Sequence, residues 1–166
     1  MTPPRPGASA ARGDNLGVMS HDDYMRAALE QARLAIDAGE VPIGAVVVID
    51  GQIVARAFNQ PIRAVDPTAH AEVLALRAAA QQAGNYRLTG AMLYVTVEPC
   101  LMCVGALVHA RIKEVVFGAV EPRSGALVST VRGHEIAGLN HRLTVTGGVL
   151  EADCRDLIQD FFRARR

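Results

Sequence analysis

Two short motifs constrain this chain more than any other feature of its sequence. The first is Thr68-Ala69-His70-Ala71-Glu72, and the second is Glu98-Pro99-Cys100-Leu101-Met102-Cys103. A Cys-x-x-Cys pair alone fits a redox pair, a structural zinc clip or a catalytic metal site. Here the pair follows an apolar strand-like run, and Pro99 suits the first turn of a new helix. On that helix Cys100 and Cys103 stand at i and i+3, so the pattern predicts that both sulfurs face the same way.

The first motif is predicted to open another helix, covering residues 69–83. His70 and Glu72 lie at i and i+2, roughly 200° apart on a regular helix, so they converge only off its N-terminal end. A metal placed there would meet two helix N-termini. Their partial positive charge favours thiolates and a bound hydroxide.

The combination of one histidine and two cysteines predicts a zinc site. His70, Cys100 and Cys103 would supply three ligands and leave a fourth position for water, which is typical of a catalytic site. Such a site needs a nearby base, and Glu72 is the acid placed to serve as one. Taken alone, Glu72 would be read as an acid favoured by the helix dipole.

His-x-Glu followed by Pro-Cys-x-x-Cys is similar to the signature of zinc-dependent nucleobase deaminases. From about Tyr24 to Arg163 the chain further resembles the bacterial tRNA-specific adenosine deaminases. Besides the two motifs, this resemblance rests on Glu40–Ala45, Asn59, Asp66–Pro67, Asn85–Leu88, Leu93–Thr96, Val116–Ala119, Asn140–Arg142 and Asp160–Arg163.

The resemblance implies a fold, a cofactor and an activity. The fold would be cytidine-deaminase-like, with one Zn²⁺ per chain and a homodimeric assembly. The activity would be hydrolytic deamination of adenosine to inosine at the wobble position of a tRNA anticodon, most readily in an arginine tRNA. Zinc-activated water would attack the base, with Glu72 as the proton shuttle.

The resemblance also implies the substrate contacts. Asn59, Val41 and Pro42 would bind the flipped nucleoside, together with the loop that contains Glu121. The family usually has Asp where Glu121 aligns. A basic chain end with Arg163 would contact the anticodon stem-loop. From the residues alone, Asn59 at the end of a strand would be interpreted as a turn former. The basic end would be interpreted as a helix terminus, where the helix dipole favours cations.

The apolar pattern predicts one α/β domain over residues 20–166. Strands are expected at residues 43–49, 52–58, 91–97, 114–118 and 143–146, with a hairpin turn at Asp50-Gly51. Helices fall between them and at both ends of this region. The prediction is a three-layer α/β/α fold, a five-stranded mixed sheet with helices on both faces. Residues 1–19 are rich in Pro, Ala, Gly and Arg and are predicted to be a disordered extension.

Composition narrows the function further. Lys and Arg number 17, as do Asp and Glu, so no global basic field indicates a nucleic-acid partner. Three cysteines, two of them assigned to a metal, fit a reducing compartment and predict a cytoplasmic protein. The apolar runs are too short to predict a membrane span.

Two alternatives remain open. One is a free-base or nucleotide deaminase acting on cytosine, deoxycytidylate or guanine, and the other is a non-catalytic, zinc-stabilised domain.

Overall fold

A computed structural model describes residues 17–166. The predicted extension, residues 1–19, therefore lies mostly outside the described residues. Helix α1 spans His21–Asp37 and begins with a capping box, in which the Ser20 hydroxyl accepts from the backbone N–H of Asp23 and the Asp23 carboxylate accepts from that of Ser20. The pattern of cap and acid at these positions explains why the helix starts here.

A hairpin follows, as predicted from Asp50-Gly51. Strand β1 (Gly44–Ile49) pairs antiparallel with β2 (Gln52–Phe58), and both turn residues have positive φ, 51° and 75°. Two consecutive residues of positive φ match the right-handed twist of the strands they join, and Asp-Gly tolerates them.

The remaining elements agree with the predicted ones to within one or two residues at most ends. In chain order they are α2 (Pro61–Ala64), α3 (Ala71–Ala83), β3 (Met92–Val97), α4 (Leu101–His109), β4 (Glu114–Ala119), a 3₁₀ turn (Gly133–Glu135), β5 (Thr144–Thr146) and α5 (Glu151–Arg163). The short helix α2 was not predicted, because a single turn carries no readable apolar period. None of the helices within residues 17–166 is both long and apolar enough to cross a membrane.

The sheet is mixed, as predicted, with strand order β2-β1-β3-β4-β5. Strand β1 runs antiparallel to both β2 and β3, while β3, β4 and β5 run parallel to one another. The start of β1 and the carboxyl ends of β2, β3 and β4 therefore meet at one edge of the sheet. Loops that leave this edge can place their side chains around a common point.

Helices cover both faces of the sheet, which confirms the three-layer architecture. On β1, Val47 belongs to the core that packs under α3 and α4, whereas Val46 belongs to the core shared with α1 and Cys154 of α5. Strand β3 is buried on both faces from Leu93 to Val97. Its nearly continuous apolar sequence reflects this double burial.

Candidate active site

Helices α3 and α4 begin next to each other at the shared edge of the sheet. His70 is the N-cap residue of α3 and Cys100 is the N-cap residue of α4, so neither lies inside its helix as predicted. Neither side chain caps its own helix, although N-cap side chains commonly do so. Both side chains can therefore point at one metal ion between the two helix N-termini.

The structure brings the three predicted metal ligands together. Nδ1 of His70 lies 3.6 Å from Sγ of Cys100 and 3.5 Å from Sγ of Cys103. In a tetrahedral zinc site with Zn–N of about 2.1 Å and Zn–S of about 2.3 Å, neighbouring ligand atoms are about 3.6 Å apart. The spacing and the soft donor set both fit zinc, and three protein ligands leave one position open.

The two thiols of this cluster differ in acidity. Hydrogen bonds from Cys103 and His70 outweigh the effect of burial and lower the pKa of the Cys100 thiol to about 4. The same contact with Cys100, together with burial, raises the pKa of Cys103. One thiolate is thus already favoured in this arrangement, and a bound cation would favour the second.

Glu72 lies in the first turn of α3, two residues after His70, and is only 4% exposed. Burial raises the pKa of its carboxyl to about 7, although its backbone N–H and the nearby His70 oppose the shift. A carboxyl group with a pKa near neutrality can both accept a proton and return it. Its environment therefore suits acid–base work beside the cluster.

The predicted base-binding residues lie at the same edge of the sheet. The backbone N–H of Asn59 donates to the carbonyl of Ile43 (3.0 Å), and the next residue, Gln60, donates to the carbonyl of Ala69 (2.9 Å). These bonds join the end of β2 to the residue before β1 and to the residue before His70. Asn59 itself is 6% exposed.

Val41 and Pro42 stand just before β1, in the segment that contacts the end of β2 through Ile43. Next to them, the buried carboxylate of Glu40 accepts a hydrogen bond of 2.6 Å from the backbone N–H of Arg63. Glu40 thus fixes the short helix α2 against the start of β1.

The loop after β4 is attached directly to the start of α4. The backbone N–H of Ala126 donates to the carbonyl of Pro99 (2.8 Å), and Gly125 forms a β-bridge with Cys100. A buried acid, Glu98, accepts further hydrogen bonds from this loop. Burial opposes ionisation of Glu98, but the Ser129 hydroxyl and several backbone N–H groups hold its pKa below the usual range.

A basic groove of about 820 Å³ separates this loop from α5, and it contains the predicted residues Glu121 and Arg163. Further arginines line it, namely Arg123, Arg155, Arg165 and Arg166. The guanidinium of Arg165 stacks 3.7 Å from the centroid of the Phe161 ring. Guanidinium groups on one surface suit recognition of phosphates.

The other histidines and the third cysteine lie apart from the metal cluster. His109 is exposed at the C-terminal end of α4. Nε2 of His141 lies 2.7 Å from the carbonyl oxygen of Ile112, and His134 is buried in the 3₁₀ turn. Cys154 is 1% exposed in the core, where it packs as a small apolar residue.

Two features were not predicted from the sequence. They are the attachment of the loop after β4 to the Glu98 carboxylate and the N-cap positions of His70 and Cys100. A signal for Glu98 was present, because an acid directly after an apolar strand is expected to be buried and therefore to need hydrogen-bond donors. The donors themselves, at residues 121–129, lie too far along the chain to leave a local pattern.

Comparisons with known proteins agree with this geometry. The family model of MafB19-like deaminases matches residues 19–166. The chain is 48% identical to the tRNA-specific adenosine deaminase of Haemophilus influenzae over 87% of this chain and 84% of that protein. It is 44% identical to the tRNA-specific adenosine deaminase of Bacillus subtilis, over 89% of this chain and 92% of that protein.

One solved structure with a similar fold comes from a study of A-to-I editing by tRNA:A34 deaminases at the wobble position of transfer RNA. It superimposes with a TM-score of 0.79 at 42% identity, covering 81% of this chain and 97% of that one.

Proposed function

This chain belongs to the family of tRNA-specific adenosine deaminases, and we propose that it converts adenosine to inosine at the wobble position of a tRNA anticodon. The observation that carries the proposal is the cluster of His70, Cys100 and Cys103 with the buried acid Glu72 beside it. This set combines a metal site that has an open position with a group able to move protons.

We infer that His70, Cys100 and Cys103 hold one zinc ion per chain. When bound, zinc supplies a Lewis acid that makes water a stronger acid and a better nucleophile at neutral pH. Glu72 accepts one proton from the water as it attacks C6 of adenine and gives this proton to the ring nitrogen. Glu72 then takes the second proton from the new hydroxyl group at C6 and delivers it to the departing amine, so that adenosine and water give inosine and ammonia.

The base reaches this site only after it leaves the anticodon stack. Val41, Pro42 and Asn59 would receive it at the edge of the sheet. The amide of Asn59 offers both a donor and an acceptor, and its position next to the segment before His70 supports a contact with the base.

The basic groove would bind the anticodon stem-loop. Five arginines line it, whereas the whole chain has a formal charge of zero. A local cluster of guanidinium groups can neutralise several phosphates without a global basic field. Arg163 and the loop containing Glu121 both line this groove.

The test is a mass-spectrometric assay of the purified, zinc-loaded protein with three substrates: an arginine tRNA transcript, free adenosine and free cytidine. We expect inosine at the wobble position of the tRNA and little turnover of either nucleoside. Turnover of a free nucleoside without turnover of the tRNA would instead identify a small-molecule deaminase. Absence of any turnover would favour a zinc-stabilised domain.

A homodimer and a cytoplasmic location, both predicted above, belong to the same proposal. The outer surface of α4 supports an assembly, because Leu101 and Met102 remain 55% and 38% exposed next to the metal ligands. Light scattering of the zinc-loaded protein tests the predicted dimer.

A further inference from the structure

Glu98 is a buried acid with no part in the metal cluster or in the proton transfers assigned to Glu72. It follows β3 directly, precedes Pro99 and Cys100, and is 3% exposed. A carboxylate in this position is costly unless hydrogen-bond donors surround it. The hydrogen-bond donors to the Glu98 carboxylate show which segment of the chain this residue holds in place.

Within residues 17–166, every hydrogen-bond donor to the Glu98 side chain comes from the loop after β4. Oε1 accepts from the backbone N–H groups of Leu127 (3.2 Å), Val128 (2.8 Å) and Ser129 (2.9 Å). Oε2 accepts from the backbone N–H of Glu121 (3.0 Å) and from the Ser129 hydroxyl. Both ends of the loop are therefore attached to one carboxylate.

The loop also closes tightly around this group. A Cβ atom on Gly125 would overlap the Glu98 carboxylate, so the chain can approach this closely only with glycine there. The backbone N–H of Gly125 donates to the carbonyl of Glu121 (2.8 Å), which completes the turn.

The loop lies between the metal cluster and the basic groove. On one side Ala126 is hydrogen-bonded to Pro99, next to the metal ligand Cys100. On the other side Glu121 and Arg123 line the groove proposed to bind RNA. The placement of Glu121 and Arg123 relative to the metal cluster is thus set through Glu98.

We propose that Glu98 is a positioning residue that holds the loop Glu121–Ser129 in the conformation that presents Glu121 and Arg123 to the RNA substrate. The inference rests on the proposed function. The negative charge matters because four backbone N–H groups and one hydroxyl converge on two oxygens. A glutamine at this position would turn an NH₂ group towards donors and leave them unpaired.

The experiment compares Glu98→Gln with Glu114→Gln in the full-length, zinc-loaded protein. Glu114 is the matched control, since its carboxylate accepts from the Thr146 hydroxyl (2.7 Å) at the opposite end of β4. For Glu98→Gln we expect KM for tRNA to rise about tenfold, as for one lost charge-assisted hydrogen bond. We expect kcat to stay within about threefold and zinc content to be unchanged, because Glu72 and the ligands keep their places.

A merely structural role gives a different result. Partial unfolding would reduce the active fraction, so kcat would fall while KM stayed at the wild-type value, and that outcome overturns the proposal. A wild-type KM and kcat in Glu98→Gln overturns it as well. We expect hydrogen exchange at residues 121–129 to accelerate in Glu98→Gln but not in Glu114→Gln. Unchanged exchange there would contradict the proposal.

If Glu98→Gln does not fold, Ser129→Ala decides the question, because it removes only the hydroxyl donor. We expect KM to rise about threefold in this variant, and an unchanged KM overturns the proposal. A wild-type protein that fails to deaminate tRNA would refute the proposed function and the inference with it. Wild-type turnover with unaltered variants would refute the inference alone.

Discussion

At the residue scale, the three cysteines occupy three different environments. Cys100 and Cys103 both face His70 at the helix N-termini, but hydrogen bonds lower the pKa of Cys100 to about 4, whereas Cys103 is 0% exposed and its pKa is raised. Cys154 is 1% exposed between α5 and β4, and burial raises the pKa of its thiol to about 12. Because the thiolate is the reactive form, these environments predict different reactivity.

Removal of the metal should make the Cys100 thiol reactive first. In the zinc-loaded protein at neutral pH we expect no fast reaction with a thiol reagent, since zinc holds Cys100 and Cys103 while Cys154 stays protonated and buried. A chelator should release one zinc per chain and make Cys100 react fast, while the buried Cys103, whose pKa is raised, reacts slowly and Cys154 reacts only after unfolding. The measurement is a thiol titration alongside metal analysis.

Fast labelling of Cys154 in the folded protein would contradict this assignment, as would two reactive thiols before chelation.

The pKa of Cys154 also predicts a pH effect on stability. Its folded pKa lies above the ordinary value of 9.0, so it stabilises the fold below about pH 9, and this contribution is lost as the pH rises towards 12.

At the scale of elements, α5 carries cations at the edge of the groove. The side chain of Arg163 is 64% exposed, and its nearest carboxylate, Asp160, is itself 68% exposed, so this ion pair stabilises the helix little. Arg163 and Arg166 are therefore free to engage phosphates.

Replacing two of these charges should weaken RNA binding and make it less dependent on salt. For Arg163→Gln with Arg166→Gln, the slope of log K against log salt should fall by up to roughly 1.4–1.8, because each lost phosphate contact removes about 0.7–0.9. The control is Arg87→Gln with Lys113→Gln, which removes two exposed charges that flank the starts of β3 and β4, at the other edge of the sheet. Equal slopes in both double variants would show that α5 is only a helix end.

Most elements could be predicted from the sequence because their signals are local. Apolar runs located the five strands, and Asp50-Gly51 located the hairpin turn. The helix starts at His70 and Cys100 were placed too early, since caps depend on backbone geometry and the spacing of side chains does not reveal it. The contacts of Glu98 span about thirty residues and had no local pattern.

At the scale of the whole molecule, the mixed sheet explains why distant motifs form one site. Residues at the ends of β2, β3 and β4 share an edge because β1 runs antiparallel to its two neighbours. The residue types and spacing of His70, Glu72, Cys100 and Cys103 are sufficient to predict that these side chains converge. The sequence could not reveal that the loop after β4, which leaves this edge of the sheet, also lines a basic groove.

Replacing Glu72 by glutamine tests whether Glu72 moves protons without binding the metal. Glutamine keeps the size of the side chain but cannot accept the proton. We predict that this variant retains one zinc per chain and wild-type affinity for tRNA, while the single-turnover deamination rate falls at least ~10²-fold. Turnover near the wild-type rate, or loss of zinc from the variant, would rule out this role of Glu72.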